Sequence, residues 1–277
     1  MKRFLIFGLM GVLLLALAGP AQAADTQLIL ATGGTAGTYY PFGGALGRIW
    51  NTKIPGMNVT AQTTGASAEN VRLINKKEVE LALVQSDTLD FAYNAKEAFK
   101  EKLTGMQAVA VLDPEIIQVV VAAGSPAKSF ADLKGLKMGV GAPGSGTEAN
   151  FRQLLDVYGM GKEDIKANYL SFSESAEQFK DKHIDAFILS PAKVPANTYK
   201  GLTEETKTVA VNAVLIASSQ LKEEVVYQLT KALFENQPEL AAAHAKGAEL
   251  SLPAAVKGVS IPFHPGAVKY YKEKKAM

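Results

Sequence analysis

The sequence predicts an α/β protein built from two lobes, and three observations lead to this fold class. Short β-rich runs such as residues 27–31 alternate with helical segments in which apolar residues recur on one face, as Phe42, Leu46 and Trp50 do. Residues 80–85 are apolar at consecutive central positions, as expected of a strand covered on both faces. The length of 277 residues provides for about two domains.

The first lobe begins with strands and helices in alternation. The predicted strands are residues 27–31, 58–64 and 80–85, and the predicted helices lie around residues 42–50 and at residues 69–76. Residues 109–123 are strongly β-prone but contain Asp113 and Pro114, and proline is poorly tolerated inside a central strand. We therefore expect two strands there, which meet where the chain crosses into the second lobe.

The second lobe repeats the alternation. Ser129 and Asp132 have the spacing of a capping box at a helix start, and Gly135 closes that short helix. A longer amphipathic helix ends at Gly159. The other elements expected here are the strands 137–141, 167–172 and 184–189, and a helix capped by Ser173.

The chain then returns to the first lobe. The last expected elements are a strand at residues 208–217 and helices at residues 223–235, 239–246 and within 262–274. The two crossings make the first lobe discontinuous: residues 24–112 and 209–277 surround an inserted lobe of residues 113–208. Crossings that join strands suit a hinge between two lobes.

The first 23 residues have the features of a cleavable export signal. Lys2 and Arg3 precede an apolar run of 15 residues, and Ala21-Gln22-Ala23 is a small-x-small cleavage site. The run is shorter than the roughly 20 residues that a membrane-spanning helix needs, so an uncleaved anchor is the less favoured alternative. Removing the signal leaves 27 basic and 27 acidic residues. We expect a periplasmic protein that acts as a monomer.

Composition excludes several classes of function. Cysteine is absent, which excludes disulfides, thiolate nucleophiles and cysteine-bound metal centres. No block of like charges occurs, which argues against a nucleic-acid binder. His183, His244 and His264 are isolated, without metal-ligand spacing. We therefore expect no bound metal. We also expect no cofactor, because export argues against the use of cytosolic cofactors.

Two glycine-rich loops with the same chemistry are the most informative feature. Residues 32–40 read TGGTAGTYY and residues 141–148 read GAPGSGTE, each between a predicted strand and a predicted helix. Glycine lets the backbone approach a ligand closely, and N–H groups at a helix start attract carboxylates and phosphates. Both loops, and Gln85, lie at carboxyl ends of strands, where open α/β sheets collect ligands. The alternative is a tight turn with a helix cap and no ligand.

Other motifs are incomplete. Residues 139–144 fit the glycine spacing of a dinucleotide site but lack its acidic partner at the end of the next strand, and no P-loop is present. Ser145 lacks the pattern of a nucleophile elbow, since Pro143 stands where glycine is required. We expect no enzymatic activity and no catalytic residue. A secreted hydrolase with a Ser–His–Asp site assembled in space stays open as an alternative.

Six segments together resemble one family. Residues 31–51, 67–74, 83–87, 140–148, 169–175 and 264–273 read ATGGTAGTYYPFGGALGRIWN, SAENVRLI, LVQSD, VGAPGSGTE, YLSFSES and HPGAVKYYKE. They are similar to the TAXI proteins, the extracytoplasmic solute receptors of TRAP transporters. The resemblance implies a type II periplasmic-binding-protein fold, with two α/β lobes around a central cleft. It also implies that the lobes close on glutamate, glutamine or a related amino or dicarboxylic acid and deliver it to a TRAP membrane permease.

The resemblance also implies which residues bind the ligand. They come from the two glycine-rich loops and from the end of the strand between them: Thr35, Gly37, Thr38, Tyr39, Gln85, Ser86, Ser145, Gly146 and Thr147. The first six lie in the first lobe and the last three in the second. The chemistry of the two loops, and of the strand end at Gln85-Ser86-Asp87, points to the same residues.

The chain departs from the family after residues 184–189. The family has a long segment before the equivalent of residues 195–201, and residues 190–194 are nearly all that remains of it here. We therefore expect a smaller second lobe that lacks part of its cleft wall. Three outcomes stay open: a working receptor with an altered site, a folded relative that no longer binds, and a poorly folded remnant.

Overall fold

Residues 26–190 and 210–277 are described by a computed structural model, in which two sheets are flanked by helices. The predicted export signal at residues 1–23 and most of the shortened segment after residue 189 lie outside the described residues. Within the described ranges, no helix combines the length and the apolar character needed to cross a membrane.

Nine strands form the two sheets of the described chain. They are β1 (Thr26–Ala31), β2 (Met57–Gln62), β3 (Leu81–Gln85), β4 (Met106–Ile116), β5 (Gln118–Val121), β6 (Lys137–Gly139), β7 (Lys166–Asn168), β8 (Ala186–Leu189) and β9 (Ala210–Ser218). The large sheet has the order β2-β1-β3-β9-β4, and only β9 runs antiparallel to its neighbours. The small sheet has the order β5-β8-β6-β7, with β5 antiparallel to β8.

The described α-helices are α1 (Tyr39–Lys53), α2 (Ser67–Asn75), α3 (Ser86–Asn94), α4 (Gly146–Val157), α5 (Phe172–Lys180), α6 (Glu223–Glu235), α7 (Gln237–Ala243), α8 (Leu252–Ala255) and α9 (Pro265–Glu273). We call the large sheet with its helices the large lobe (residues 26–116 and 210–277), and the small sheet with α4 and α5 the small lobe (residues 117–190).

The large lobe has a core on each face of its sheet. Leu81 and Leu83 of β3 face the core under α1, α6 and α9, whereas Ala82 and Val84 face the core under α2 and α3. All five residues of β3 are buried, as the continuous apolar run predicts. Trp50 of α1 is fully buried, and its indole N–H donates to the Leu229 carbonyl oxygen at 3.0 Å.

The small lobe has a smaller core. Helix α4 and the 3₁₀ helix Phe130–Leu133 cover one face of its sheet. Helix α5 covers the other face, where the rings of Phe179 and Phe187 lie 5.1 Å apart. The predicted capping box of Ser129 and Asp132 is confirmed.

The two strands expected within residues 109–123 are confirmed as β4 and β5, which meet where the chain passes from one sheet to the other. Strand β4 continues through Pro114 to Ile116, so the break lies at Ile117 rather than at Asp113-Pro114. As an edge strand it tolerates proline, and its register shifts just before Asp113. The strand expected at residues 167–172 ends at Asn168, and the next helix is capped by Ser171 rather than Ser173. The helix expected at residues 239–246 is α7, which ends at Ala243 and is followed by a 3₁₀ turn.

The chain enters the small sheet after Ile117 and returns between residues 190 and 210. The lobe limits predicted from the sequence, 24–112 with 209–277 and the insertion 113–208, stay predictions.

Candidate functional site

A cavity of about 240 Å³ lies between the two lobes, at the carboxyl ends of strands from both sheets. The large lobe lines it with residues 33–39, 64–67, Gln85 and Glu115. The small lobe lines it with Ala142, residues 145–147, residues 171–173 and Ser190. The loops after β1, β2, β6 and β7 thus form much of the wall, whereas Gln85 of β3 and Glu115 of β4 line it from within their strands.

Eight of the nine residues predicted to bind a ligand line this cavity. They are Thr35, Gly37, Thr38, Tyr39, Gln85, Ser145, Gly146 and Thr147. Ser86 is the exception and does not line it. Strand β3 passes into α3 without a loop, and the Ser86 hydroxyl accepts a hydrogen bond from the Asn212 N–H of β9 at 3.1 Å.

Four helices begin at the cavity wall. The lining residues include the first residues of α1 and α2 from the large lobe and of α4 and α5 from the small lobe. Helix starts expose N–H groups and carry a positive partial charge. The described lining residues include neither lysine nor arginine. Positive potential at the wall therefore comes from the backbone.

The contribution of α5 was missed from the sequence. Ser171, Phe172 and Ser173 line the cavity. The signal that could have located this helix start is the Ser171–Glu174 capping box, in which the Ser171 N–H donates to the Glu174 carboxylate at 2.8 Å.

Two hydroxyl groups of the small lobe already have partners. The Ser145 hydroxyl accepts a hydrogen bond from the Glu148 N–H at 3.1 Å, and so caps α4, as the alternative without a ligand expects. The Thr147 hydroxyl lies 3.1 Å from that of Ser190. Both residues are more than nine-tenths buried. Because a hydroxyl donates one hydrogen bond and accepts up to two, each of these groups keeps part of its capacity for a ligand.

Glu115, on β4, forms the floor of the cavity and was also missed. Its carboxylate accepts a hydrogen bond from the Gln85 amide N–H at 2.6 Å, and its side chain is buried. Burial raises the pKa of Glu115 to about 7, and burial together with the Glu115 charge raises the pKa of Tyr39. The sequence signal was a carboxylate inside a strand-forming run, which is unusual unless the residue has a partner or a function.

One buried polar atom at this floor, the Gln85 side-chain oxygen, has no hydrogen-bond partner within the described chain. The Gln85 amide group packs against Gly146, where a Cβ would collide with it. A larger residue at this position would therefore have to displace the Gln85 side chain.

The two lobes also contact each other outside the cavity. The Asp87 carboxylate of α3 accepts hydrogen bonds from the side-chain amides of Asn150 at 2.8 Å and Gln153 at 2.7 Å, both on α4. The Ala68 N–H of α2 donates to the Gly144 carbonyl oxygen at 3.0 Å. These contacts hold the lobes together beside the cavity.

The three histidines lie away from the cavity. His264 caps α9, the ring of His244 lies 5.1 Å from that of Phe42, and His183 is exposed. None of the three lines the cavity. A Ser–His pair, which the hydrolase alternative requires, is not formed there by the described residues. The same residues contain no cluster of His, Asp and Glu that could hold a metal ion.

Solved structures share this architecture. The alkanesulfonate-binding protein from Xanthomonas axonopodis pv. citri, bound to MOPS, superimposes with a TM-score of 0.54 at 17% identity, covering 91% of this chain and 92% of its own. A putative L-cystine ABC transporter protein from Listeria monocytogenes gives 0.56 at 15% identity, with coverage of 82% and 98%.

The ligand-binding core of GluR0 from Nostoc punctiforme, in complex with L-glutamate, gives a TM-score of 0.54 at 15% identity, with coverage of 80% and 100%. At such identities the likeness concerns the fold. The predicted fold class is confirmed: two α/β lobes around a central cleft, as in type II periplasmic binding proteins.

The sequence itself matches one family in two segments. Residues 30–193 and 188–274 match the NMT1-like family, and the segments overlap at residues 188–193, where the sequence predicts the shortening. Together they span nearly the whole described chain. The protein therefore belongs to the NMT1-like family.

Proposed function

We propose that this protein is a periplasmic solute receptor of the TAXI type, which captures a small carboxylate by lobe closure and delivers it to a TRAP membrane permease. The ligand class is an amino or dicarboxylic acid such as glutamate or glutamine. Residues 1–23 direct export, and the mature chain acts as a monomer without catalytic activity. The observation that carries the proposal is the cavity between the lobes, which four helix starts line.

The electrostatics of the cavity favour an anionic group on the ligand. Backbone N–H groups at a helix start bind a carboxylate without needing a basic side chain. Each hydrogen bond to a charged group contributes about 1.5–3 kcal/mol. Because the helices belong to both lobes, a carboxylate that contacts both sets stabilises the closed form over an open one.

The neighbours with the same fold support a small polar ligand. Their names describe an alkanesulfonate-binding protein, a putative L-cystine transporter and a complex with L-glutamate. The choice of a TRAP partner and of the TAXI type rests on the six sequence segments alone. The rival proposal, a folded relative that no longer binds, rests on the shortened segment after residue 189.

A thermal-shift screen of the mature protein tests the proposal. The panel contains the common L-amino acids, the carboxylic acids of the same carbon skeletons, and sulfate. A ligand that binds only the folded protein raises the unfolding midpoint as its concentration rises. We expect at least one acid of the panel to do so. A flat response across the panel, from protein with a cooperative unfolding transition, would support the relative that no longer binds.

A glycine pair provides a matched control for lobe closure. Gly146→Ala places a methyl group against the Gln85 side chain, so we expect the midpoint shift to be lost. Gly44→Ala makes the same change on the exposed face of α1, where a Cβ has no neighbour within 4 Å, and should keep the shift. Equal responses from the two variants contradict binding between the lobes.

A further inference from the structure

We infer that the ligand is a zwitterionic amino acid, whose ammonium group pairs with Glu115 while its carboxylate faces the helix starts. This inference rests on the receptor function proposed above and narrows its ligand class. It excludes dicarboxylic acids that lack an amino group. Glu115 of β4 would then be the side chain that selects amino acids over such dicarboxylic acids.

The buried Glu115 carboxylate forms no ion pair within the described residues. Asp113 lies two residues earlier on β4 and is equally buried, and it forms an ion pair with Lys246. Neutral groups, the Gln85 amide and the Tyr39 hydroxyl, donate hydrogen bonds to Glu115, and the Lys246 charge acts on it only from the ion pair with Asp113. A buried charge is stable only when it is paired, so Glu115 requires a proton or an external cation.

The floor around Glu115 contains an unpaired hydrogen-bond acceptor. The Gln85 amide N–H group is directed at Glu115, with the Ser190 hydroxyl 3.5 Å away. The Gln85 side-chain oxygen has no partner within the described chain. Gln85 is 2% exposed and Tyr39 is 9% exposed, and both line the cavity. An ammonium group, with three N–H donors, complements such a floor.

The walls and the floor of the cavity have opposite polarity. Its walls present N–H donors at the starts of α1, α2, α4 and α5, whereas its floor presents the carboxylate of Glu115. A zwitterion matches both ends. A dicarboxylate without an amino group places negative charge beside Glu115, and two carboxylates at close range disfavour each other's ionisation.

Proton release provides a direct sign of this pairing. Burial raises the pKa of Glu115 to about 7, so the unliganded protein holds a proton there over part of the range below pH 7. An ammonium group beside the carboxylate lowers that pKa, and binding therefore releases a proton. A dicarboxylate raises the pKa further, and binding it takes up a proton.

Isothermal titration calorimetry of the mature protein tests the inference. The probes are matched pairs that differ in the α-amino group: L-glutamate and glutarate, L-glutamine and glutaramate, L-alanine and propionate. At pH 6.5, in buffers of different ionisation enthalpy, we expect an amino acid to bind with proton release, and its partner to bind about 10- to 100-fold more weakly. In Glu115→Gln, the proton release disappears and the difference within the pair falls at least several-fold.

Two results would contradict this inference and leave the proposed receptor function intact. One is an acid without the amino group that binds as tightly as its amino-acid partner. The other is a Glu115→Gln protein that keeps both the preference and the proton release. If the variant does not fold, the wild-type pairs decide alone. Folded wild-type protein that binds neither class overturns the receptor proposal itself, together with this inference.

Discussion

The two lobes differ in how much apolar surface they bury. Among the described residues, the large lobe has two cores, of 28 and 17 buried residues, whereas the core of the small lobe has ten. Of the six exposed large apolar side chains among the described residues, four belong to the small lobe: Val119, Val157, Tyr158 and Tyr169. Since burial of apolar area is the main favourable contribution to folding, we expect the small lobe to be the less stable unit.

The lobes also differ in what they bring to the cavity. Each contributes two helix starts, but only the large lobe contributes an ionisable floor, made of Glu115 and Tyr39. The small lobe adds hydroxyl groups that already serve as caps or partners, as those of Ser145 and Thr147 do. The difference suggests a division of labour, in which the large lobe sets charge selectivity and the small lobe closes over the ligand.

The largest expected effect comes from matched changes in the two cores. Leu83→Ala in β3 and Leu155→Ala in α4 each remove a buried leucine side chain. Each should lower the free energy of unfolding of its lobe by about 2–5 kcal/mol. Trp50 is the only tryptophan and lies in the large lobe, so its fluorescence reports that lobe. Circular dichroism reports both lobes.

In urea, we expect Leu155→Ala to lower the dichroism midpoint while the Trp50 transition keeps its wild-type midpoint. Leu83→Ala should lower both midpoints. Coincident transitions in all three proteins would mean that the lobes unfold as one unit, and the comparison of their stabilities would then be wrong.

A smaller effect is expected from the ionisable floor of the large lobe. Because the folded pKa of Glu115 is raised from 4.5 to about 7, the folded protein binds more protons than the unfolded chain between those values. The stabilising contribution of this group is complete below pH 4.5 and is lost by about pH 7. Its size is about 3 kcal/mol. Asp113, whose pKa burial raises to about 6, acts in the same direction.

Urea unfolding of wild type and Glu115→Gln at pH 5.5 and pH 8 measures this contribution. The wild type should lose more stability than the variant between the two values, because glutamine does not titrate. Parallel losses in both proteins contradict an uncompensated carboxylate at the floor.

The alternation of strands and helices could be predicted because it depends on local sequence patterns, namely apolar periodicity and helix-capping residues. The apolar run of β3 and the capping box of Ser129 are confirmed for that reason. The break between β4 and β5 was expected too early, at Pro114, because the edge position of β4 depends on the whole sheet, which local sequence does not reveal. Helix α3 was missed because no loop separates it from β3.

The part of the site that the two glycine-rich loops form could be predicted from their residue types. The two glycine-rich loops face one cavity, because both follow strands whose carboxyl ends meet there. Glu115 was missed, since a carboxylate in a strand is recognisable as part of a site only when Gln85 and Tyr39 are seen around it. Ser86 was placed in the cleft by its neighbour Gln85, although the helix turns it toward Asn212.

The central claim is that one carboxylate is held by helix starts from both lobes. Titration of ¹⁵N-labelled mature protein with L-glutamate, followed by two-dimensional NMR, tests it most directly. We predict the largest amide shifts at residues 37–40 and 66–68 of the large lobe, and at residues 145–148 and 171–173 of the small lobe. Binding that shifts amides of one lobe only, or amides remote from these four helix starts, would contradict the account.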